Sequence, residues 1–337
     1  MTLRLGTRRS QLATTQSGHV AGALRALGHQ VELVEIVTEG DRNLAPLDQI
    51  GGTGVFAAAV REALTSGRVD LAVHSLKDLP TAPAPGLMIA ATPPRADVRD
   101  ALIARDGLTL GELPPGSRIG TGSPRRVAQL ADLGLGHECV PIRGNVETRI
   151  AQVTSGALDA VVLAKAGLDR LGLTHAITEI LDPIQMLPAA GQGALAVECR
   201  IDDAATRAIL AQLDDPDTRA AVTAERAVLA RLEAGCTAPV GVLAEIVDDI
   251  DALAVFVRAF VGSADGSLEL RRSHTGPAAE AHDVGRRFAN LLLAELPPGA
   301  TGEPPDPGGA PAAYAQRHDL PENDRPENDT IEKETAQ

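Results

Sequence analysis

The sequence predicts an α/β protein of two doubly wound lobes followed by a small α+β C-terminal domain, and three stretches carry that prediction. From residue 3 to about 95, short apolar runs alternate with helix-length amphipathic segments. Residues 98–190 repeat the scheme. Residues 214–296 change pattern, to one long helix, three strands joined by hairpins and a last helix.

In order, LRLGT (3–7) reads as a strand, and Ser10 N-caps a helix that runs to Leu27 and stops at Gly28. VELVEIV (31–37) is a strand, VFAAAVREALTS (55–66) a helix ended by Gly67, and LMIAATP (87–93) a strand. VDLAVHS (69–75) is almost continuously apolar, as expected inside a parallel sheet. In the second run, DALIA and SRIGT are short strands, and Ser123 with Pro124 opens a helix as N-cap and N1. CVPIR (139–143) and LDAVVLA (158–164) are strands; NVETRIAQVTSG and AGLDRLG are helical. Asp215-Pro216 starts a helix expected to end at Gly235; VGVLAEIV, ALAVFVRAF and LELRRSHT follow as strands, and a helix runs from about Pro277 to Leu296. The Pro-, Gly- and acid-rich stretch 297–337 is expected to be a disordered tail.

Composition narrows the function classes. Aromatic residues are 1% of the 337, so the cores must be aliphatic. There is no apolar run long enough to span a membrane, and MTLRLGTRRS lacks the apolar centre of a signal peptide, so a cytoplasmic protein is expected. Cys139, Cys199 and Cys236 are too few and too widely spaced for a disulfide framework or a zinc site. The net charge is −14, of which the tail holds −6, from nine acids against three bases. Nucleic acid is therefore not an expected partner, and any anion bound must meet a local basic cluster. Lysine occurs only at 77, 165 and 333 against 28 arginines, which singles out Lys77 and Lys165 as places where an ammonium can be required.

Several motifs fall where α/β folds bind ligands, at strand ends and helix starts. GTRRS (6–10) places Arg8 and Arg9 before a helix, although a capping serine with two solvated arginines explains it alone. VHSLKDLPT (73–81) runs an apolar strand into Lys77-Asp78, either a surface ion pair or a working lysine and carboxylate. GTGSPRR (120–126) sets Arg125 and Arg126 in a helix's first turn, where they oppose the helix dipole unless an anion sits there. IRGNVETR (142–149) adds Arg143 at a strand end and Arg149 on the next helix. GQGALA (191–196) has the letters of a dinucleotide fingerprint but leads into a strand, so NAD binding is rejected. Cys139 and Cys199 lie in apolar strands and read as packing residues. Cys236, in RLEAGCTAPVG, follows a helix end; disulfide, metal ligand, nucleophile, covalent anchor and packing residue all remain open there.

Together GTRRSQLA, GGTGVF, DLAVHSLKDLPT, GTGSPRR, IRGNVETR, AKAGLDRLG, LPAAGQGALAVECR and TAERAVLARLEAGCTAPVG resemble the hydroxymethylbilane synthase (porphobilinogen deaminase) family, in order, over about residues 2–296. The resemblance implies lobes like those of type II periplasmic binding proteins: domain 1 at 1–93 and 195–212, domain 2 at 98–190, domain 3 at 216–296. It implies a transferase of haem biosynthesis that joins four porphobilinogens head to tail with loss of ammonia, on a dipyrromethane cofactor held by a thioether to Cys236. Asp78 matches the catalytic aspartate. Arg8, Lys77, Arg125, Arg126, Arg143, Arg149 and Arg170 would pair the carboxylates of cofactor and substrate. Ser10, Ser75, Thr121, Ser123 and Gln192 would hydrogen-bond them, and Phe56 would stack on a pyrrole. Porphobilinogen is the expected partner, with no nucleic acid, membrane or metal, and the expected state is a monomer. Two other readings compete: an anion-binding module without chemistry, which leaves Cys236 unexplained, and a cysteine hydrolase, for which no histidine motif lies near Cys236.

Overall fold

The computed structural model describes residues 2–37, 55–234, 238–249, 252–263 and 266–297, with residues 55 and 56 as backbone. The expected tail beyond residue 297 lies outside them.

β1 (Thr2–Arg8) buries Leu3 and Leu5 and leads into α1 (Gln11–Ala26), where Ser10 accepts a capping hydrogen bond from the Ala13 amide at 3.4 Å. β2 (Gln30–Ile36), α2 (Val55–Thr65), β3 (Leu71–Ser75) and β4 (Leu87–Ala91) complete the first run. The second holds β5 (Asp100–Ala104), β6 (Arg118–Gly120), α3 (Pro124–Asp132), β7 (Glu138–Val140), α4 (Val146–Thr154), β8 (Ala160–Ala164), α5 (Lys165–Arg170) and β9 (Glu179–Ile180). β10 (Leu195–Arg200) and α6 (Ala204–Leu210) follow, then α7 (Pro216–Arg231), β11 (Val240–Asp248), β12 (Leu253–Gly262), β13 (Glu269–Pro277) and α8 (Ala281–Glu295).

The first sheet has the order β2-β1-β3-β10-β4 and the second β7-β6-β8-β5-β9. In each, one strand runs antiparallel to both neighbours: β10 against β3 and β4, and β5 against β8 and β9. The sheets are therefore mixed, where the continuous apolar run of β3 had suggested a purely parallel one. The reason is that β10, like a parallel strand, is buried on both faces from Leu195 to Cys199, so periodicity carries no sign of direction. The strand predicted at 139–143 is shorter than expected, ending at Val140.

The chain crosses between the sheets twice, and the crossings touch where the Ala96 amide donates to the Gly193 carbonyl at 3.3 Å. Gly193 has φ 86°, and a Cβ there would lie 2.5 Å from the Ala96 oxygen, so this contact requires glycine.

The third sheet, β11-β12-β13, packs Val242, Val257 and Val261 against Val228 of α7 and Phe288 and Leu292 of α8. Glu225 of α7 is buried in a bidentate pair with Arg95, at 2.7 and 3.0 Å, and also accepts the Gly191 and Ala244 amides. One carboxylate thus ties both crossings to this last sheet. α7 stops at Arg231, short of the expected Gly235; Leu232 is the cap and Glu233 takes the left-handed conformation, φ 54°.

Candidate functional site

β3 ends at Ser75, and Leu76–Asp78 form a single 3-10 turn at its carboxyl end. Leu76 is buried and anchors the turn, Lys77 is half-buried, and Asp78 is exposed. The Ser75 hydroxyl accepts from Nε2 of Gln16 on α1 at 2.8 Å. Lys77 Nζ donates to Gln192 Oε1 at 3.2 Å. Burial pulls the Lys77 pKa down to about 8; Asp78 and Asp100 oppose the shift, and Arg126 and Arg125 add to it.

The second group lies at the start of α3. Pro124 occupies the first turn as expected, and Thr121 Oγ1 accepts the Ser123 amide at 3.2 Å. Ser123 stands at the N-cap position, yet its side chain makes no capping hydrogen bond; its carbonyl takes the Arg126 and Val127 amides. The next two residues depart further from expectation. Arg125 and Arg126 are only 3% and 6% exposed, and both pair with Asp100, the completely buried first residue of β5. Arg125 Nη2 reaches Oδ2 at 2.8 Å and Arg126 Nη2 reaches Oδ1 at 2.7 Å. The Nη1 atoms donate to the Leu187 carbonyl at 2.5 Å and the Val162 carbonyl at 2.7 Å. The conflict with the helix dipole is thus eased by a carboxylate of the protein itself. Burial alone would raise the Asp100 pKa, but the two guanidiniums and Lys77 hold it well below the usual range.

Gln192 joins the two groups. It is completely buried, its Nε2 donates to Asp100 Oδ1 at 2.9 Å and to the Val98 carbonyl at 2.8 Å, and its Oε1 receives Lys77. Lys77, Gln192, Asp100, Arg125 and Arg126 therefore form one connected network spanning the two sheets. Nε of Arg125 and Nε of Arg126 are buried and have no hydrogen-bond partner.

The remaining predicted arginines lie on α4, on α5, in the loop before α4 and at the end of β1. Arg149 on α4 donates from Nε to the Gly144 carbonyl at 2.9 Å; burial, then Arg126 and Arg143, lower its pKa, so Arg149 lies within electrostatic reach of both. Arg143 is exposed. Arg170 Nη2 donates to the Gly193 carbonyl at 2.7 Å, and burial lowers its pKa. Arg8 ends β1, half-buried. The Phe56 side chain and Cys236 fall outside the described residues. Lys165, which lysine scarcity had also singled out, is held by Asp169 at 2.6 Å and Asp97 at 3.6 Å. The thiols of Cys139 and Cys199 are pushed up to about 11 by burial, which suits packing residues.

Sequence reasoning missed the buried acids: Asp70, Asp100, Glu225 and Glu198. The last, on β10, takes a bidentate pair from Arg61 at 2.7 and 3.0 Å, and His74 Nε2 lies 3.2 Å from it. A signal was available, since Asp100 heads the apolar run ALIA and Glu198 interrupts ALAVEC. An ionised group in such a strand requires a partner.

Residues 3–208 match the family model described as "Porphobilinogen deaminase, dipyromethane cofactor binding domain", and residues 219–294 match "Porphobilinogen deaminase, C-terminal domain". The chain belongs to the porphobilinogen deaminase family. A porphobilinogen deaminase of Nocardia farcinica is 57% identical over 296 residues, covering 86% of this chain and 85% of that one. That of Mycobacterium tuberculosis strain H37Rv is 59% identical over 296 residues, covering 86% and 96%. Among solved structures, a nutrient-binding protein of Burkholderia cenocepacia bound to methionine aligns with TM-score 0.40 and 12% identity, over 64% of this chain and 93% of that one. The deaminase cofactor-binding domain contains the whole Lys77–Gln192–Asp100–Arg125–Arg126 network. Its chemistry fits an acid-bearing dipyrromethane: the cations outnumber the buried acid, and two buried Nε–H donors remain unused.

Proposed function

We propose that this chain joins porphobilinogen molecules head to tail with loss of ammonia, on a dipyrromethane primer bound through Cys236, and releases hydroxymethylbilane. The observation that carries the reading is a cationic network, in surplus over its buried acid, beside an exposed carboxylate at a strand's carboxyl end. Family membership supports the same activity.

The bound dipyrromethane supplies the pyrrole end to which each incoming unit is joined. Arg125 and Arg126 offer their Nε–H groups to its carboxylates, with Lys77 as the third cation. The hydroxyls of Ser10, Ser75, Thr121 and Ser123, each able to make more than one hydrogen bond, complete the polar lining, while Gln192, whose two N–H donors are taken by Val98 and Asp100, acts behind it by holding Lys77. Loss of ammonia from porphobilinogen places positive charge on its pyrrole nitrogen. The Asp78 carboxylate stabilises that charge, which develops in the transition state rather than in the substrate. Arg8, Arg143, Arg149 and Arg170 pair the acids that accumulate as the chain grows, and Phe56 stacks on a ring. In this reading the parts divide as 1–93 with 195–212, 98–190, and 216–296, followed by the tail at 297–337. The shared strand order of the first two sheets supports the first division. The reading includes a cytoplasmic monomer; among the described residues no helix is long and apolar enough to cross a membrane.

Purified protein supplied with porphobilinogen should release ammonia and form a linear tetrapyrrole in a ratio of four to one. Porphobilinogen retained without ammonia release would instead favour a binding module.

A further inference from the structure

Two adjacent arginines with a lysine close by repel one another, and burial strengthens that repulsion. Arg125 and Arg126 nevertheless sit almost fully enclosed, each clamped at both Nη atoms. Their shared partner is Asp100, which splits its two oxygens between them and also accepts from Gln192. Asp100 stands on β5, 25 and 26 residues before the arginines of α3 in sequence. It neither faces solvent nor belongs to the lysine-aspartate turn.

We propose that Asp100 is a positioning residue, the resident counter-ion that holds the arginine pair in place before the dipyrromethane is attached. This rests on reading Arg125 and Arg126 as cofactor-binding residues. A single carboxylate against two guanidiniums and Lys77 supports the fold of the empty site while leaving a cationic surplus and two Nε–H donors for the cofactor's acids. Once the cofactor is bound, its carboxylates share the work of neutralising the arginines. The dependence on Asp100 is therefore greatest in the unprimed protein. A carboxylate that merely stabilised the core would matter equally in both forms.

The test compares unprimed protein, produced in cells that make no porphobilinogen, with the same protein primed by added porphobilinogen; intact mass verifies each state. Unprimed Asp100→Asn should melt several degrees below unprimed wild type, and most of that deficit should disappear after priming. An equal deficit in both forms overturns the proposal. If unprimed Asp100→Asn does not fold, Asp100→Asn/Arg126→Gln decides: with one cation removed, the unprimed double variant should fold and melt near wild type. A double variant that fails to fold, or melts no higher than Asp100→Asn, overturns the proposal. Arg126→Gln alone separates this failure from that of the underlying reading. If it acquires the covalent group as fully and as fast as wild type, the arginine reading fails, whatever Asp100 does.

Discussion

The two five-stranded sheets share a strand order, and each carries a buried carboxylate on its one antiparallel strand. In the first sheet Glu198 of β10 meets one arginine, Arg61, and one histidine, His74. In the second sheet Asp100 of β5 meets two arginines, and Lys77 adds to the field. The first arrangement is close to balanced and pins α2 to the sheet floor. The second is outnumbered, and its surplus lies beside Asp78. The corresponding antiparallel strand thus carries a bracing acid in one sheet, Glu198 opposite Ala72, and the acid of the arginine network in the other, Asp100 opposite Ala164. The two differ in the count of cations and in where the acid stands along its strand.

Breaking the surplus side should have the largest effect. Asp78→Asn should lower turnover roughly a hundredfold to a thousandfold, the cost typical of losing one group aimed at transition-state charge. Porphobilinogen binding should change far less. Stopped assays that follow ammonia release and substrate retention separate the two, and a near-normal rate would remove Asp78 from the chemistry.

Breaking the balanced side should cost stability and spare priming. Glu198→Gln leaves Arg61 without its buried partner and should destabilise by about 3–5 kcal/mol, read from denaturant melts. The covalent group should still be acquired, by intact mass. The pH dependence follows from the Glu198 pKa, which burial would raise but His74 and Arg61 bring down to about 2 from 4.5. Its folded-state value is depressed, so its stabilisation is complete above about pH 4.5 and lost as pH falls towards 2. Glu198→Gln should flatten the acid limb in that window. An unchanged limb would mean that the pair contributes nothing.

A smaller effect should sharpen the surplus. Lys77, with a pKa near 8, is charged at neutral pH and loses that charge above about 8. KM for porphobilinogen should therefore rise a few-fold between pH 7 and 9, and Lys77→Arg should remove the rise, because a guanidinium stays protonated. The smallest change lies outside both sheets. Glu233 holds φ 54° just after α7, a conformation that costs a side-chain-bearing residue about 1 kcal/mol. Glu233→Gly should raise stability by about that amount, measurable as a small increase in Tm.

What could be read from the sequence follows from how local each feature is. Helix starts were legible where a cap and its amide lie three residues apart, as with Ser10 and Ala13 or Asp215 and Thr218. Ser123 had the same signature, but its hydroxyl does not close the cap. The direction of β10 was hidden, because a strand buried on both faces has no alternation to read. The arginines stood out as cations in a helix's first turn within an acidic chain. Asp100, their partner, could not be matched to them, because the pairing depends on β5 lying antiparallel beside β8, a fact of topology. Lysine scarcity pointed equally to Lys77, which the fold joins to Gln192, and to Lys165, which it uses in an ion pair.

The most direct test of the account is the intact mass of the purified protein and of Cys236→Ser. The account predicts that active wild type carries the added mass of one dipyrromethane, that Cys236→Ser folds without it, and that Cys139→Ser and Cys199→Ser keep it. Active wild-type protein at the bare polypeptide mass, or a Cys236→Ser variant with the same adduct and full turnover, would contradict it.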